Sequence, residues 1–221
     1  MANSNWRCSA NARKANMQAL LIHGMGRTPL SQLLLAQRLR RRGFRVRLFG
    51  YSTMQPFDIC VARLEARVRA LDQHGPLILV GHSLGCVLIR AALRRSQSIR
   101  PVAWFFLAPP SKATRAARYF ANNPIYRLLT RDSGQRLANE AFMQSLPLPA
   151  VPVRVYAGTG GWKGRFSPFK NADNDGILAV SETPLHVDAP VVRVPALHTF
   201  IMNSPMVADD IAATSASLHP F

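Results

Sequence analysis

The stretch Leu77-Ile-Leu-Val-Gly-His-Ser-Leu-Gly-Cys-Val-Leu-Ile is centred on Ser83, and its residue types are those that can turn a hydroxyl into a nucleophile. Leu77 to Val80 is a short branched apolar run, and the apolar residues of 84–96 return at helical spacing. The pattern predicts a buried strand, a sharp turn and a helix, with the serine on the turn. In a Gly-x-Ser-x-Gly turn of this kind the serine takes a strained backbone conformation that lifts its hydroxyl clear of the sheet. Glycines at 81 and 85 suit that geometry, since a side chain at either place would collide across so tight a turn. A helix beginning beneath the serine also aims its first amides, and the positive end of its dipole, at any oxyanion formed there. The competing reading is a strand-to-helix turn whose small residues serve packing alone.

With its flanking strand and helix, Gly81-His82-Ser83-Leu84-Gly85 resembles the nucleophile elbow of the α/β-hydrolase family, and the resemblance runs from Gln18 to the C-terminal helix. It implies an α/β-hydrolase fold of class α/β: a mostly parallel sheet of about six strands, helices on both faces, and catalytic groups in chain order serine, acid, histidine. A serine hydroxyl needs a histidine to accept its proton, and that histidine needs a carboxylate to fix its tautomer. His186, His198 and His219 follow any acid this order allows. His186 precedes the last expected strand and His219 is two residues from the terminus, so His198, just after that strand, is the expected base.

The carboxylates between Ser83 and His198 are Asp132, Glu140, Asp173, Asp175, Glu182 and Asp188. Asp132 and Glu140 fall in a helical insertion, while Glu182 and Asp188 flank the approach to the last strand, where a solvated position is expected. Asp173 and Asp175 share the loop after the strand ending at Ala157. Asn174-Asp175-Gly176-Ile177 resembles the N-D-G-hydrophobic motif that carries the acid in bacterial lipases, which favours Asp175 and leaves Asp173 as the alternative. By the same resemblance, His23-Gly24-Met25-Gly26 takes the place of the oxyanion loop, so that the amides of Met25 and Leu84 converge as donors. A plain glycine-rich turn is the other reading of that loop. The implied reaction is hydrolysis of a carboxylic ester through an acyl-enzyme, with no cofactor and no metal required. Some similar lipases hold calcium, but no oxygen ligands for it are assignable here. Thioesters and amides would use the same groups.

The elements that must position these residues read in order as strand, helix, strand, helix, strand, helix, which predicts a parallel sheet with right-handed crossovers. Met17 to Ile22 is the first strand. A helix over Pro29 to Arg42 is expected to be capped by Thr28 and to have Leu30, Leu33, Leu34, Ala36 or Gln37, and Leu39 as its apolar side. Phe44 to Phe49 alternates as a strand, and a helix over Asp58 to Gln73 has Ile59, Ala62, Leu64, Ala66, Val68 and Leu71 as its expected core side. Strands follow at Val102 to Leu107, Val151 to Ala157 and Pro190 to Pro195, and Ser204 to Leu218 closes the chain as a helix with Met206, Val207 and Ile211 inward. The insertion, 112–148, is helical and longer than a crossover needs. Similar hydrolases carry a lid there, and Phe120, Tyr126 and Phe142 are candidates to face an acyl chain, together with Trp162 and Phe166 on the loop leading to the acid. Alternatively, the insertion covers the edge of the sheet.

With 221 residues, 48% hydrophobic and 18% charged, one domain over 17–221 with a substantial core is expected, preceded by a basic, flexible extension over 1–16. No apolar run approaches a membrane span and the first residues lack the apolar core of a secretory signal, so a cytoplasmic protein is expected. The three cysteines are too scattered for a disulfide framework or a zinc site. The net charge of +17 is the unusual global feature, and no acidic residue precedes Asp58. It fits association with an anionic membrane surface, or a bias toward arginine that implies no partner; no nucleic-acid-binding motif is present, so no nucleic-acid partner is expected. A basic lipid-binding protein that keeps the hydrolase scaffold without turnover is the reading from outside enzymology.

Overall fold

Apart from Gln18 and His82 at their ends, three of the strands are runs without polar side chains, which is how strands read when helices cover both faces of a sheet. A computed structural model describes residues 17–94, 99–113, 123–185 and 190–218. The strands are β1 (Gln18–Ile22), β2 (Arg45–Phe49), β3 (Leu77–His82), β4 (Ala103–Leu107), β5 (Val153–Gly158) and β6 (Val191–Val194). They form one six-stranded sheet in the order β2-β1-β3-β4-β5-β6, and every pairing is parallel. β1, β3 and β4 are buried along their whole length. β2 lies at one edge and exposes Arg45 and Arg47, charges that discourage pairing with another chain.

The sheet separates two cores, and side chains alternate between them with the period of a strand. Leu20, Ile22, Leu77, Leu79, Trp104 and Phe106 point to one face, which is covered by α2 (Phe57–Asp72), α3 (Leu84–Leu93) and part of the insertion. Ala19, Leu21, Ile78, Val80 and Phe105 point to the other, under α1 (Leu33–Arg41) and α6 (Pro205–Leu218). The described insertion contains α4 (Pro124–Ala138), broken by the non-helical Arg131, and α5 (Glu140–Ser145). It is anchored in the first core by Leu137, Met143 and Leu146. Residues 1–16, and with them the expected flexible extension, lie outside the described residues.

Several expected helix faces are corrected. The first helix begins as a 3-10 turn (Pro29–Gln32) before α1, and the Thr28 side chain makes no capping bond. Its buried residues are Gln32, Leu35, Ala36 and Leu39, while Leu30, Leu33 and Leu34 are exposed. Gln32 can face inward because its amide donates to the Ile22 carbonyl at 3.0 Å. α2 starts one residue earlier than expected and buries Phe57, Cys60, Val61, Leu64, Val68 and Leu71, leaving Ile59, Ala62 and Ala66 outside. In α6 the inward residues are Val207, Ala208, Ile211 and Ser215, and Met206 is exposed.

Candidate active site

From β1 the chain moves outward to β2 and then returns to the opposite side of β1 as β3, so the carboxyl ends of β1 and β3 flank the point where the winding reverses. Open α/β sheets bind ligands in the crevice at such a point. Both glycine-containing loops singled out in the sequence, 23–26 and 81–85, leave these two strand ends. Ser83 sits between β3 and α3 with φ 50° and ψ −117°, a region costly for any residue with a side chain. Its amide donates to the Leu107 carbonyl at 2.9 Å, and its carbonyl accepts from the Cys86 amide at 3.0 Å. A Cβ at Gly85 would stand 2.4 Å from the Ile22 carbonyl oxygen, so the start of α3 can lie against the end of β1 only without a side chain there. A Cβ at Gly24 would stand 3.2 Å from that of Ser83, which puts the 23–26 loop beside the serine. Met25 is half-buried and packs on the first core.

That loop is braced from β2. Tyr51 stacks on the His23 ring, with centroids 4.2 Å apart and planes 7° apart, and its hydroxyl donates to the His23 carbonyl at 2.9 Å. The Tyr51 amide faces His23 Nε2 at 3.4 Å and the Gly24 carbonyl faces His23 Nδ1 at 2.9 Å, so Nδ1 carries the proton and Nε2 accepts. Burial lowers the His23 pKa and favours this neutral form.

Asp175 and His198 meet across the carboxyl ends of β5 and β6. His198 Nδ1 lies 2.7 Å from Asp175 Oδ2, and both side chains are buried. The other carboxylate oxygen, Oδ1, accepts from the amides of Ile177 at 2.9 Å and Leu178 at 2.7 Å. The His198 amide donates to the Asp175 carbonyl at 2.9 Å, so the two residues are tied by main chain as well as side chain. Gly176 turns the chain after the acid at φ +92°. Asp173, the alternative acid, instead pairs with Lys163 and with Arg193; the bond from Lys163, with its positive charge, holds the Asp173 carboxyl below the usual range.

His198 also reaches the elbow. Its carbonyl lies 3.0 Å from Nε2 of His82, and the two rings are 5.1 Å apart between centroids. His82 immediately precedes Ser83, so the histidine after β6 and the serine after β3 share one neighbour. Asp175 thus fixes the His198 imidazole through Nδ1, and the backbone of His198 lies against the residue that precedes Ser83.

Some contributors to this arrangement have no role of their own assigned from the sequence. Asn174 is fully buried; its Oδ1 accepts from the Gly176 amide at 2.9 Å and its Nδ2 donates to the carbonyls of Ala172 and Trp162. Gly158, Gly160 and Gly161 let the loop after β5 press against segments 174–176 and 196–197; a Cβ at Gly161 would fall 1.9 Å from Asn174 Oδ1. Three glycines within four residues, followed shortly by Asn-Asp-Gly, was the available sign of close backbone packing. Glu182, expected in solvent, is buried, and its carboxylate accepts from the Ala179 amide at 2.9 Å. Asp132 lies at the start of α2, accepting from the Phe57 amide at 3.1 Å.

The expected substrate-binding residues fall in different surroundings. Phe142 packs edge-on against Phe57 at 5.5 Å, and the Arg136 guanidinium lies 5.1 Å from each ring. Trp162 and Phe166 are exposed on the loop after β5. Tyr126 belongs to α4, and Phe120, His186, Asp188 and His219 lie outside the described residues.

The model of the alpha/beta hydrolase family matches residues 19–217. The chain belongs to the alpha/beta hydrolase family. None of the curated proteins matches the sequence of this hydrolase. Among solved structures, the mature lipase BlEst2 of Bacillus licheniformis superposes with a TM-score of 0.74 at 16% identity, over 91% of the hydrolase and 92% of that chain. A metagenomic carboxyl esterase gives 0.68 at 18% identity, over 91% and 75% of the two chains. Human thioesterase 2 gives 0.60 at 11% identity, over 93% and 100%. At these identities the likeness is one of fold.

Proposed function

We propose that the protein is a serine hydrolase that cleaves carboxylic esters through an acyl-enzyme. The observation that carries this reading is the buried His198–Asp175 pair, 2.7 Å apart, held beside the elbow that strains Ser83. In this reading His198 takes the Ser83 proton through Nε2, Oγ adds to the ester carbonyl, and the amides of Met25 and Leu84 hold the oxyanion. The alkoxide leaves with the proton from His198 as the acyl-enzyme forms. Water then attacks the acyl-enzyme, giving its proton to His198, and Ser83 recovers a proton as the acid departs. Asp175 stays ionised throughout, stabilising the imidazolium.

Labelling with a fluorophosphonate probe tests the nucleophile: the wild-type protein labels and Ser83→Ala does not. A folded wild-type chain that fails to label supports the non-catalytic lipid-binding reading instead. Matched p-nitrophenyl esters, thioesters and anilides of one acyl chain separate the leaving-group classes, with the ester expected to turn over fastest. Across esters of rising chain length, medium or long chains are expected to react best if the insertion forms a lid. Hydrolysis confined to acetyl and butyryl esters removes the lid from this account.

A further inference from the structure

Among the described residues, the exposed large apolar side chains are placed unevenly. All but Leu148 sit in connections leaving the carboxyl ends of strands, or in the first turn of the helix that follows. Every strand is parallel, so these connections share one edge of the sheet, the edge that carries Ser83 and the His198–Asp175 pair. The most exposed are Phe166 at 74%, Leu30 at 70% and Trp162 at 63%.

The two aromatic residues are presented by a loop with its own internal order. The Trp162 carbonyl accepts from Asn174 Nδ2 at 3.2 Å and from Ser167 Oγ at 2.8 Å, and the Gly164 amide donates to the Lys170 carbonyl at 2.9 Å. The loop is therefore fastened to the residue preceding Asp175 while its rings face water. Residues 159–172 also carry Lys163, Arg165 and Lys170 and no acidic residue. The Arg165 guanidinium lies 4.8 Å from the centre of the Phe166 ring, so positive charge and aromatic surface are presented together. Asp173, which follows this loop, is already engaged by Lys163 and Arg193. Exposed aromatic rings beside Arg165 and Lys170, which form no ion pair among the described residues, match the boundary between anionic headgroups and acyl chains, where an amphipathic ring is half in and half out of water and a cation meets phosphate.

We propose that this edge docks on an anionic lipid surface, with Trp162 and Phe166 inserted among the headgroups, Arg165 and Lys170 on their phosphates, and Leu30 extending the apolar contact. Docking in this orientation would face the sheet edge that carries Ser83 toward the lipid. A nucleic acid would also answer to the cations, but a phosphodiester strand leaves exposed leucine without a partner. The proposal goes beyond the hydrolase reading and does not depend on it, because it is measured without turnover.

The test uses the full chain as Ser83→Ala with Trp6→Phe, so that emission comes from Trp162 and the buried Trp104. At low salt the protein is expected to co-sediment with vesicles of phosphatidylcholine mixed with phosphatidylglycerol, with a blue shift in emission, and to be released at high salt. Replacing both rings, Trp162→Ala with Phe166→Ala, should weaken vesicle partition about tenfold or more. Arg165→Glu with Lys170→Glu should abolish the preference for phosphatidylglycerol. Urea unfolding midpoints report that each variant is folded, and Leu30→Ser, on a separate element of the same edge, should also weaken partition. Failure to bind phosphatidylglycerol vesicles, binding unaltered by the ring and charge variants, or capture by single-stranded RNA in preference to vesicles would each overturn the proposal.

Discussion

His82 fills the variable place between Gly81 and Ser83, and its ring is buried. Nε2 lies against the His198 carbonyl and therefore carries the proton, while Nδ1 faces the Gly24 backbone without a hydrogen-bond partner. A second proton would have nowhere to go. Burial foremost, with His198 nearby adding to it, lowers the His82 pKa from 6.5 to about 3. The unfolded chain takes up this proton as pH falls through the unperturbed value; the folded chain does not until near its own. Between the two the unfolded state binds more protons, so stability falls as pH falls, by about 1.4 kcal/mol per unit. From about pH 7 to about pH 5 the loss attributable to His82 is about 2 kcal/mol. His82→Gln removes the titration and keeps an amide able to donate to the His198 carbonyl. Urea unfolding of both proteins at the two pH values measures the difference, and contributions from other groups cancel between them. The wild type should lose about 2 kcal/mol more than the variant; equal losses would refute the reasoning.

Two further substitutions separate the parts of the site. Asp175→Asn should lower kcat by about 10⁴-fold, as expected when an imidazole is held in the wrong tautomer. Asp173→Asn, which breaks surface ion pairs with Lys163 and Arg193, should leave both the urea midpoint and kcat near wild type. Steady-state kinetics on one soluble ester decides between the acids, and the reverse pattern would reassign the role. Gly161→Ala would place a Cβ 1.9 Å from Asn174 Oδ1 and 2.4 Å from the Gly176 amide, so the acid loop must shift. A displacement of this order should reduce kcat/KM by about 100-fold in protein that remains folded by circular dichroism.

The elbow was legible because strand, strained residue and helix are contiguous, so a local pattern specifies a local shape. The strand order joins distant segments and is not readable from the sequence, and the choice of Asp175 and His198 rests on resemblance to a known motif and chain order rather than on spacing. Helix faces were read less well. Counting apolar residues put Leu30, Leu33 and Leu34 inside, whereas the buried side includes Gln32, whose amide finds a carbonyl at the end of β1. In α2 two apolar arcs competed, and the one bearing Phe57 and Val61 faces the core, leaving Ile59 in water. Glu182 was expected in solvent because hydropathy cannot register a backbone amide waiting for a carboxylate. The brace from Tyr51 to His23 was invisible for a related reason: it joins loops after different strands, and stacking between them leaves no periodic trace.

The crowding around Gly158, Gly160 and Gly161 bears on how such an enzyme can diversify. A Cβ at any of the three would come within 3 Å of the 174–176 or 196–197 backbone or side chains, so drift in this junction is closed to ordinary residues. Novelty in what is cleaved must then arise at exposed side chains beside the junction, such as Leu30, Trp162 and Phe166, which can change while the junction stays as it is. A directed-evolution library aimed at substrate scope would therefore be better spent there than on the three glycines.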